Sequence, residues 1–211
     1  MTMPPPRPAS SPVPARVAAP APAPALDRER LGQRLRAIRK THGLTLKALS
    51  ERSGVALSTL SKIELGQISV SYEKLAAAAR ALEVDIAELF DPRARAAPGH
   101  APRVVRSTAE TAPRYDGDNY DFRMLATEFP HKRMTPLIGT IVARDRGAFP
   151  DFIRHPGQEF VMVLSGRVRI LFETGETVDL ERRQSAYFDS AVGHVYLSTG
   201  RGNAQVVVVM S

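Results

Sequence analysis

The first group of residues whose types and spacing could do chemistry lies at about residues 57–65, LSTLSKIEL. At 3.6 residues per turn, Leu60 and Ile63 fall on one face, and Leu57, Ser58, Thr59, Ser61 and Lys62 fall outside it. A lysine can donate to guanine, hydroxyls to several bases, and a leucine can meet a thymine methyl. Leu57, Ser58, Thr59 and Lys62 are therefore candidates for base edges, and Thr45, Lys47 and Ser61 for phosphate. The competing reading of each single residue is a solvated side chain with no partner.

Several local signals position this face. Thr45 is a candidate N-cap for a preceding helix with Leu46 and Leu49 three apart. Gly54 breaks that helix, Val55 fills the corner, and Gly66 stops the second helix. Two short helices joined by a glycine turn form a helix-turn-helix, whose second helix can enter a DNA major groove. Before it, Asp27–Thr41 reads as a helix with Leu31, Leu35 and Ile38 at i, i+4 and i+7, ended by Gly43. After it, Ser71 is positioned to cap a fourth helix with Leu75, Ala78, Ala79 and Leu82 inward. Asp85-x-x-Glu88 is a capping-box pattern opening a fifth, which ends at Leu89–Phe90. Residues 27–90 thus form one small helical domain, near the lower size for independent folding.

Charge is unevenly placed along the 211 residues. The net +7 comes from +2 in residues 1–26, +3 in 27–90 and +2 in 91–103, while 104–211 balance 13 basic against 13 acidic residues. The excess lies in the half that holds the helices, and a basic surface attracts phosphate without reading sequence. Residues 1–26 hold nine of the 17 prolines and no acid, so they cannot bury enough apolar surface to order themselves. Those prolines also oppose the amphipathic helix of a transit peptide. Residues 91–103, DPRARAAPGHAPR, read as a linker with His100 solvated. No run of 18 apolar residues exists to span a membrane. The chain has no cysteine, which excludes disulfides, thiolate catalysis and thiolate-bound metal and fits a reducing cytoplasm.

From Val104 the period changes to two. Expected strands are 104–107, 120–126, 137–143, 159–164, 168–172, 177–180, 186–189, 194–198 and 205–210, with turns at Gly166, Gly175 and 200–203. Many short strands at this spacing predict an antiparallel barrel or jelly roll over residues 104–211. The expected fold class is therefore α + β, a five-helix domain followed by an antiparallel β-domain.

The segment LGQRLRAIRKTHGLTLKALSERSGVALSTLSKIELG with SYEKLAAAARALEVDIAELF resembles the XRE (Cro/lambda-repressor-like) bacterial regulators over residues 31–90. The resemblance implies a DNA-binding domain, a homodimer on a palindromic double-stranded operator and a bacterial cytoplasmic location. It also implies that Arg39 pairs with Glu64, a structural rather than DNA-reading contact. Two positions depart from the family. Ala56 stands where serine or asparagine usually caps the recognition helix, a cost of about 1 kcal/mol, and Leu46 replaces a glutamine that often reaches DNA.

HPGQEFVMVLSG at 155–166 and FDSAVGH ending at His194 resemble the two motifs of the cupin superfamily. By that resemblance His155, Glu159 and His194 are metal ligands, Ile153 replaces the remaining histidine, and Ser198 replaces a frequent asparagine. Two imidazoles and one carboxylate make a facial triad that leaves open positions for Fe(II) or another divalent ion such as Zn, Mn or Ni. The same residues, with Tyr120 and Phe122 of NYDF, are the expected lining for a small-molecule effector. The expected function is a DNA-binding transcriptional regulator with a cupin sensor domain, with no catalytic residues assigned. The alternative is a non-heme iron oxygenase or epoxidase using the triad beside a vestigial helix-turn-helix. Arg123, Arg133 and Arg154 could meet an acidic effector; surface roles compete. There is no GxSxG, phosphate-binding glycine loop or HExxH.

Overall fold

The computed structural model describes residues 27–90, 104–117, 119–129 and 132–211. The expected proline-rich tail (1–26) and linker (91–103, with His100) lie outside the described residues.

Five helices follow in order: α1 (Arg28–Thr41), α2 (Leu46–Ser53), α3 (Leu57–Glu64), α4 (Tyr72–Ala81) and α5 (Ala87–Phe90). Asp27 caps α1 by accepting from the Arg30 N–H, and Thr45 caps α2 by accepting from Ala48. Gly54 ends α2 at φ 71°, in the left-handed region where only glycine is unstrained. As expected, no side chain caps α3 at Ala56. Ser71 departs from expectation: it occupies the N-cap position of α4, but its side chain makes no capping hydrogen bond to the helix backbone. The expected box at α5 is replaced by a shorter cap, with Asp85 accepting from the Ala87 N–H, while the Glu88 N–H donates to the Asp85 carbonyl.

Leu31, Leu35, Leu49, Leu60, Ile63, Leu75 and Leu82 form the buried centre of this helical domain. Gly32 of α1 is part of the packing, because a Cβ there would lie 2.2 Å from the Ile63 carbonyl oxygen of α3. The absence of a side chain lets the two helices touch at the backbone.

The β-domain contains β1 (Arg114–Asp116), β2 (Tyr120–Met124), β3 (Thr135–Ile141), β4 (Gln158–Ser165), β5 (Arg167–Phe172), β6 (Thr177–Glu181), β7 (Ser185–Asp189), β8 (His194–Ser198) and β9 (Ala204–Met210). They form a six-stranded antiparallel sheet, β1-β2-β3-β9-β4-β7, and a three-stranded sheet, β6-β5-β8. Period-two burial turns Val161, Val163, Val206 and Val208 of the larger sheet and Val168 and Ile170 of the smaller into the core. All five residues of β8 are buried.

One expected strand is absent. Residues 104–107 pair with no strand, and Val104 is 86% exposed. Instead, the Ser107 hydroxyl accepts from the Ala126 N–H, and the first strand is β1, which the sequence pattern missed. Two adjacent valines between arginines carry β propensity but no inward alternation, and Val105 is only half-buried.

Tyr115 of β1 joins the two domains. Its buried hydroxyl accepts from the Val70 N–H at 2.7 Å and lies 3.3 Å from the Ser69 hydroxyl, while Phe90 of α5 packs edge-on to its ring. Tyr72 of α4 meets Phe122 of β2 edge-on, with ring centroids 6.0 Å apart.

Candidate nucleic-acid interface and candidate metal centre

Helix α3 buries Leu60, Ile63 and Glu64 and exposes Leu57, Ser58 and Lys62. Leu57 is 46% exposed. Thr59 and Ser61 are half-buried on the flanks of this face. Thr45 uses its hydroxyl oxygen as the α2 cap, which leaves its O–H free to donate outward. Lys47 is exposed and lies 3.9 Å from Glu51, a surface pair of little energetic weight.

A buried ion pair fixes α3 on α1. Arg39 donates from Nε and Nη2 to the two carboxylate oxygens of Glu64 at 2.6 and 2.7 Å, and from Nη1 to the Leu44 carbonyl at 2.8 Å. The pair raises the Arg39 pKa, the hydrogen bond outweighing burial. This fork–fork geometry sets both the angle and the register of α3, since a carboxylate matches a guanidinium in few orientations.

The second site brings three separate segments together. His155 lies in the loop before β4, Glu159 on β4 and His194 at the start of β8, and all three are buried. His155 Nε2 lies 2.8 Å from Glu159 Oε2, and His194 Nε2 lies 3.5 Å from the same oxygen. The candidate ligand atoms all lie within 4.8 Å of one another. His194 Nδ1 donates to the Val192 carbonyl at 2.9 Å, which orients the ring and turns Nε2 toward the centre. Tyr196 donates its hydroxyl to Glu159 Oε1, leaving Oε2 between the imidazoles.

The protonation states follow from these contacts. Burial alone would raise the Glu159 pKa, but hydrogen bonds from His155 and His194 outweigh it and bring it down to about 2. Burial likewise opposes a charge on His194, but the hydrogen bond and charge of Glu159, with the Val192 carbonyl, hold its pKa above the usual value. Burial, then the Glu159 charge, pushes Tyr196 well above the usual phenol. An ionised carboxylate between two inward nitrogens, one ring already held by a carbonyl, is a donor set that fits a divalent cation. Ile153 fills the remaining position with an aliphatic chain and is bridged to His194 through backbone hydrogen bonds.

A small cavity of about 30 Å³ adjoins the triad and is lined by Tyr120, Phe122, Tyr196 and Met210, and by Tyr72 and Glu73 of α4. A wider cleft of about 520 Å³ shares Tyr72, Glu73, Tyr120, Phe122 and Ile153 and opens between the domains along Phe149 and Phe152. The Tyr120 hydroxyl is engaged, accepting from the Tyr196 N–H at 2.8 Å and lying 3.3 Å from the Tyr196 carbonyl. Its ring, not its hydroxyl, is what Tyr120 can offer a ligand.

Of the three arginines considered for an acidic effector, Arg154 lines the wider cleft. Arg123 donates to the Ala109 carbonyl, and Arg154 pairs with Glu173 and Asp151. Arg133 is exposed. Ser198 donates to the Gly202 carbonyl, a turn-closing contact.

Residues 35–89 match the helix-turn-helix family model, and residues 141–210 match the cupin domain model. The chain joins a helix-turn-helix domain to a cupin domain. A structure described as an HTH_3 family transcriptional regulator from Vibrio cholerae is similar at 19% identity and a TM-score of 0.60, covering 88% of this chain and 97% of that one. A hydroxypropylphosphonic acid epoxidase from S. wedmorenis, in complex with fosfomycin, is 20% identical with a TM-score of 0.46, covering 88% of this chain and 99% of that one. At these identities the first likeness concerns fold alone. No curated protein sequence matches the chain. Among the described residues, no helix is long and apolar enough to cross a membrane.

Sequence reading missed Tyr196, Tyr72 and Glu73. Tyr196 was within reach, because it lies two residues after His194 on a strand and so shares its face. Tyr72 and Glu73 carried no such signal, since they belong to the other domain.

Proposed function

We propose that this chain is a sequence-specific DNA-binding transcriptional regulator whose cupin domain senses a small molecule or metal. The observation that supports this most is the exposed Leu57, Ser58 and Lys62 face on an α3 held in place by the buried Arg39–Glu64 pair. Helix α3 enters the major groove, where Leu57, Ser58, Thr59 and Lys62 meet base edges and Thr45, Lys47 and Ser61 meet phosphates. Two copies bind a palindromic operator as a homodimer, with half-sites about one helical turn apart. The effector is bound at Tyr120, Phe122, His155, Glu159 and His194. The last three would hold a divalent metal such as Fe, Zn, Mn or Ni, which supplies Lewis acidity and an open coordination position when bound. The site residues act by orienting: Val192 and Tyr196 fix the donor atoms, and Ile153 keeps one side apolar.

Selection of random duplex DNA by the purified protein tests this reading, which expects a palindrome to be enriched. Enrichment of no motif, with binding that simply tracks salt, refutes sequence-specific regulation. Where an operator emerges, the pair His155→Ala and His194→Ala should abolish the effector response and leave DNA binding intact. An unchanged response would reduce the triad to scaffolding.

The His155–Glu159–His194 geometry also supports a second reading, a non-heme iron-dependent oxygenase or epoxidase with a vestigial helical domain. Anaerobic Fe(II) titration separates the two. Absence of uptake ends the second reading, and uptake without DNA preference favours it.

A further inference from the structure

The helical domain contributes to the wall of the metal centre. Tyr72 and Glu73, the first two residues of α4, line the same small cavity as His155, Glu159 and His194. Among the described residues lining that cavity, Glu73 is the one carboxylate outside the triad, and none is a lysine or arginine. Burial pushes the Glu73 carboxyl above its usual pKa, so its ionised form calls for a positive charge nearby; His155 and His194 face it from the other domain.

The rest of the junction makes this placement consequential. Helix α4 is anchored in the helical core by Leu75, Ala78 and Ala79 and packs on α2 of the helix-turn-helix. The segment before it is held on the β-domain by the Val70 N–H to Tyr115 hydroxyl bond. A shift of α4 toward or away from the triad therefore moves the DNA-reading unit with it.

A dication held by two neutral imidazoles and one carboxylate leaves one positive charge uncompensated. In a buried site such a charge needs a partner. We propose that Glu73 supplies it, so that the metal centre spans both domains and a divalent cation at the triad clamps the helix-turn-helix domain onto the cupin domain. This rests on the triad holding a metal and adds how that site reaches the DNA reader. Glu73 acts as a positioning residue through charge. Coupling of this kind is reciprocal: whatever the cation contributes to docking, docking contributes to cation affinity.

The test uses the full chain with Zn²⁺ as probe, in wild type, Glu73→Gln and Glu73→Lys. Zn²⁺ affinity is read by competition with a chromophoric chelator, and docking by hydrogen exchange at the Val70 amide. Wild type should take up Zn²⁺ and slow Val70 exchange. Glu73→Gln should lose roughly 5- to 50-fold in Zn²⁺ affinity, within the usual range of such couplings, and Glu73→Lys should lose more. In both variants Val70 exchange should no longer respond to Zn²⁺, while helical circular dichroism stays that of wild type. Wild type that binds Zn²⁺, with variants of equal affinity and equal Val70 protection, overturns the clamp and leaves the metal reading standing. Wild type that takes up no Zn²⁺ overturns the metal reading and the clamp with it.

Discussion

Replacing Glu64 by alanine removes the carboxylate that accepts from Nε and Nη2 of Arg39 at 2.6 and 2.7 Å. The guanidinium stays buried, with the Leu44 carbonyl as its remaining partner in this group. Removing one member of a buried ion pair costs about 3–5 kcal/mol, because the other charge is left uncompensated. For a domain of this size each kcal/mol lowers the melting temperature by about 4–8 °C, so Glu64→Ala should lower it by at least about 12 °C. Arg39→Met should cost a similar amount by stranding the carboxylate. The double variant Arg39→Met, Glu64→Leu removes both charges and fills the volume, and should lie within about 1 kcal/mol of wild type. Thermal and urea unfolding followed by helical circular dichroism measures all three. A cost below about 1 kcal/mol for Glu64→Ala, or a double variant as unstable as the sum of the singles, would refute the claim that this pair is a buried, coupled lock on α3.

Three further outcomes are expected. Lys62→Ala should weaken operator binding by about 1–3 kcal/mol and relax one base position, whereas Lys47→Ala should weaken all duplexes alike and reduce the salt slope by about one; fluorescence anisotropy against salt distinguishes them. Gly32→Ala should destabilise by about 1–3 kcal/mol through overpacking against the Ile63 carbonyl, reversing the usual gain of alanine over glycine inside a helix, as urea midpoints would show. Zn²⁺ affinity should fall by about tenfold per pH unit below the raised pKa of His194, where a proton competes for Nε2, and level off above it. The cation-free protein has the opposite sign: the His194 contribution to stability is full below its ordinary 6.5 and is lost as pH rises through the folded value. Titrations between pH 5.5 and 8 check both signs.

The parts of this molecule legible in the sequence are those set by local rules. Asp27, Thr45 and Gly54 announce helix ends because caps and left-handed turns restrict residue type. The inner valines of β4 and β9 announce strands because the pleat has period two. The Arg39–Glu64 pair and the convergence of His194 on His155 and Glu159 were legible through resemblance to known motifs, since Arg39 and Glu64 are 25 residues apart, His194 lies 35 or more from the other two, and no local rule joins them. Residues 104–107 show the limit of propensity, with valines suited to a strand and no strand paired with them. Tyr115 and Glu73 show the limit of reading domains separately. Each looks like an ordinary residue of its own element, and each acquires its role when the other domain packs against it.

Sequence reading by α3 is tested most directly by one ratio, the affinity for the selected operator divided by that for a scrambled duplex of equal length near 150 mM salt. A helix that reads base edges predicts a preference of at least about 10³. A ratio near one, with affinity that merely follows counterion release, would contradict the claim that α3 reads sequence.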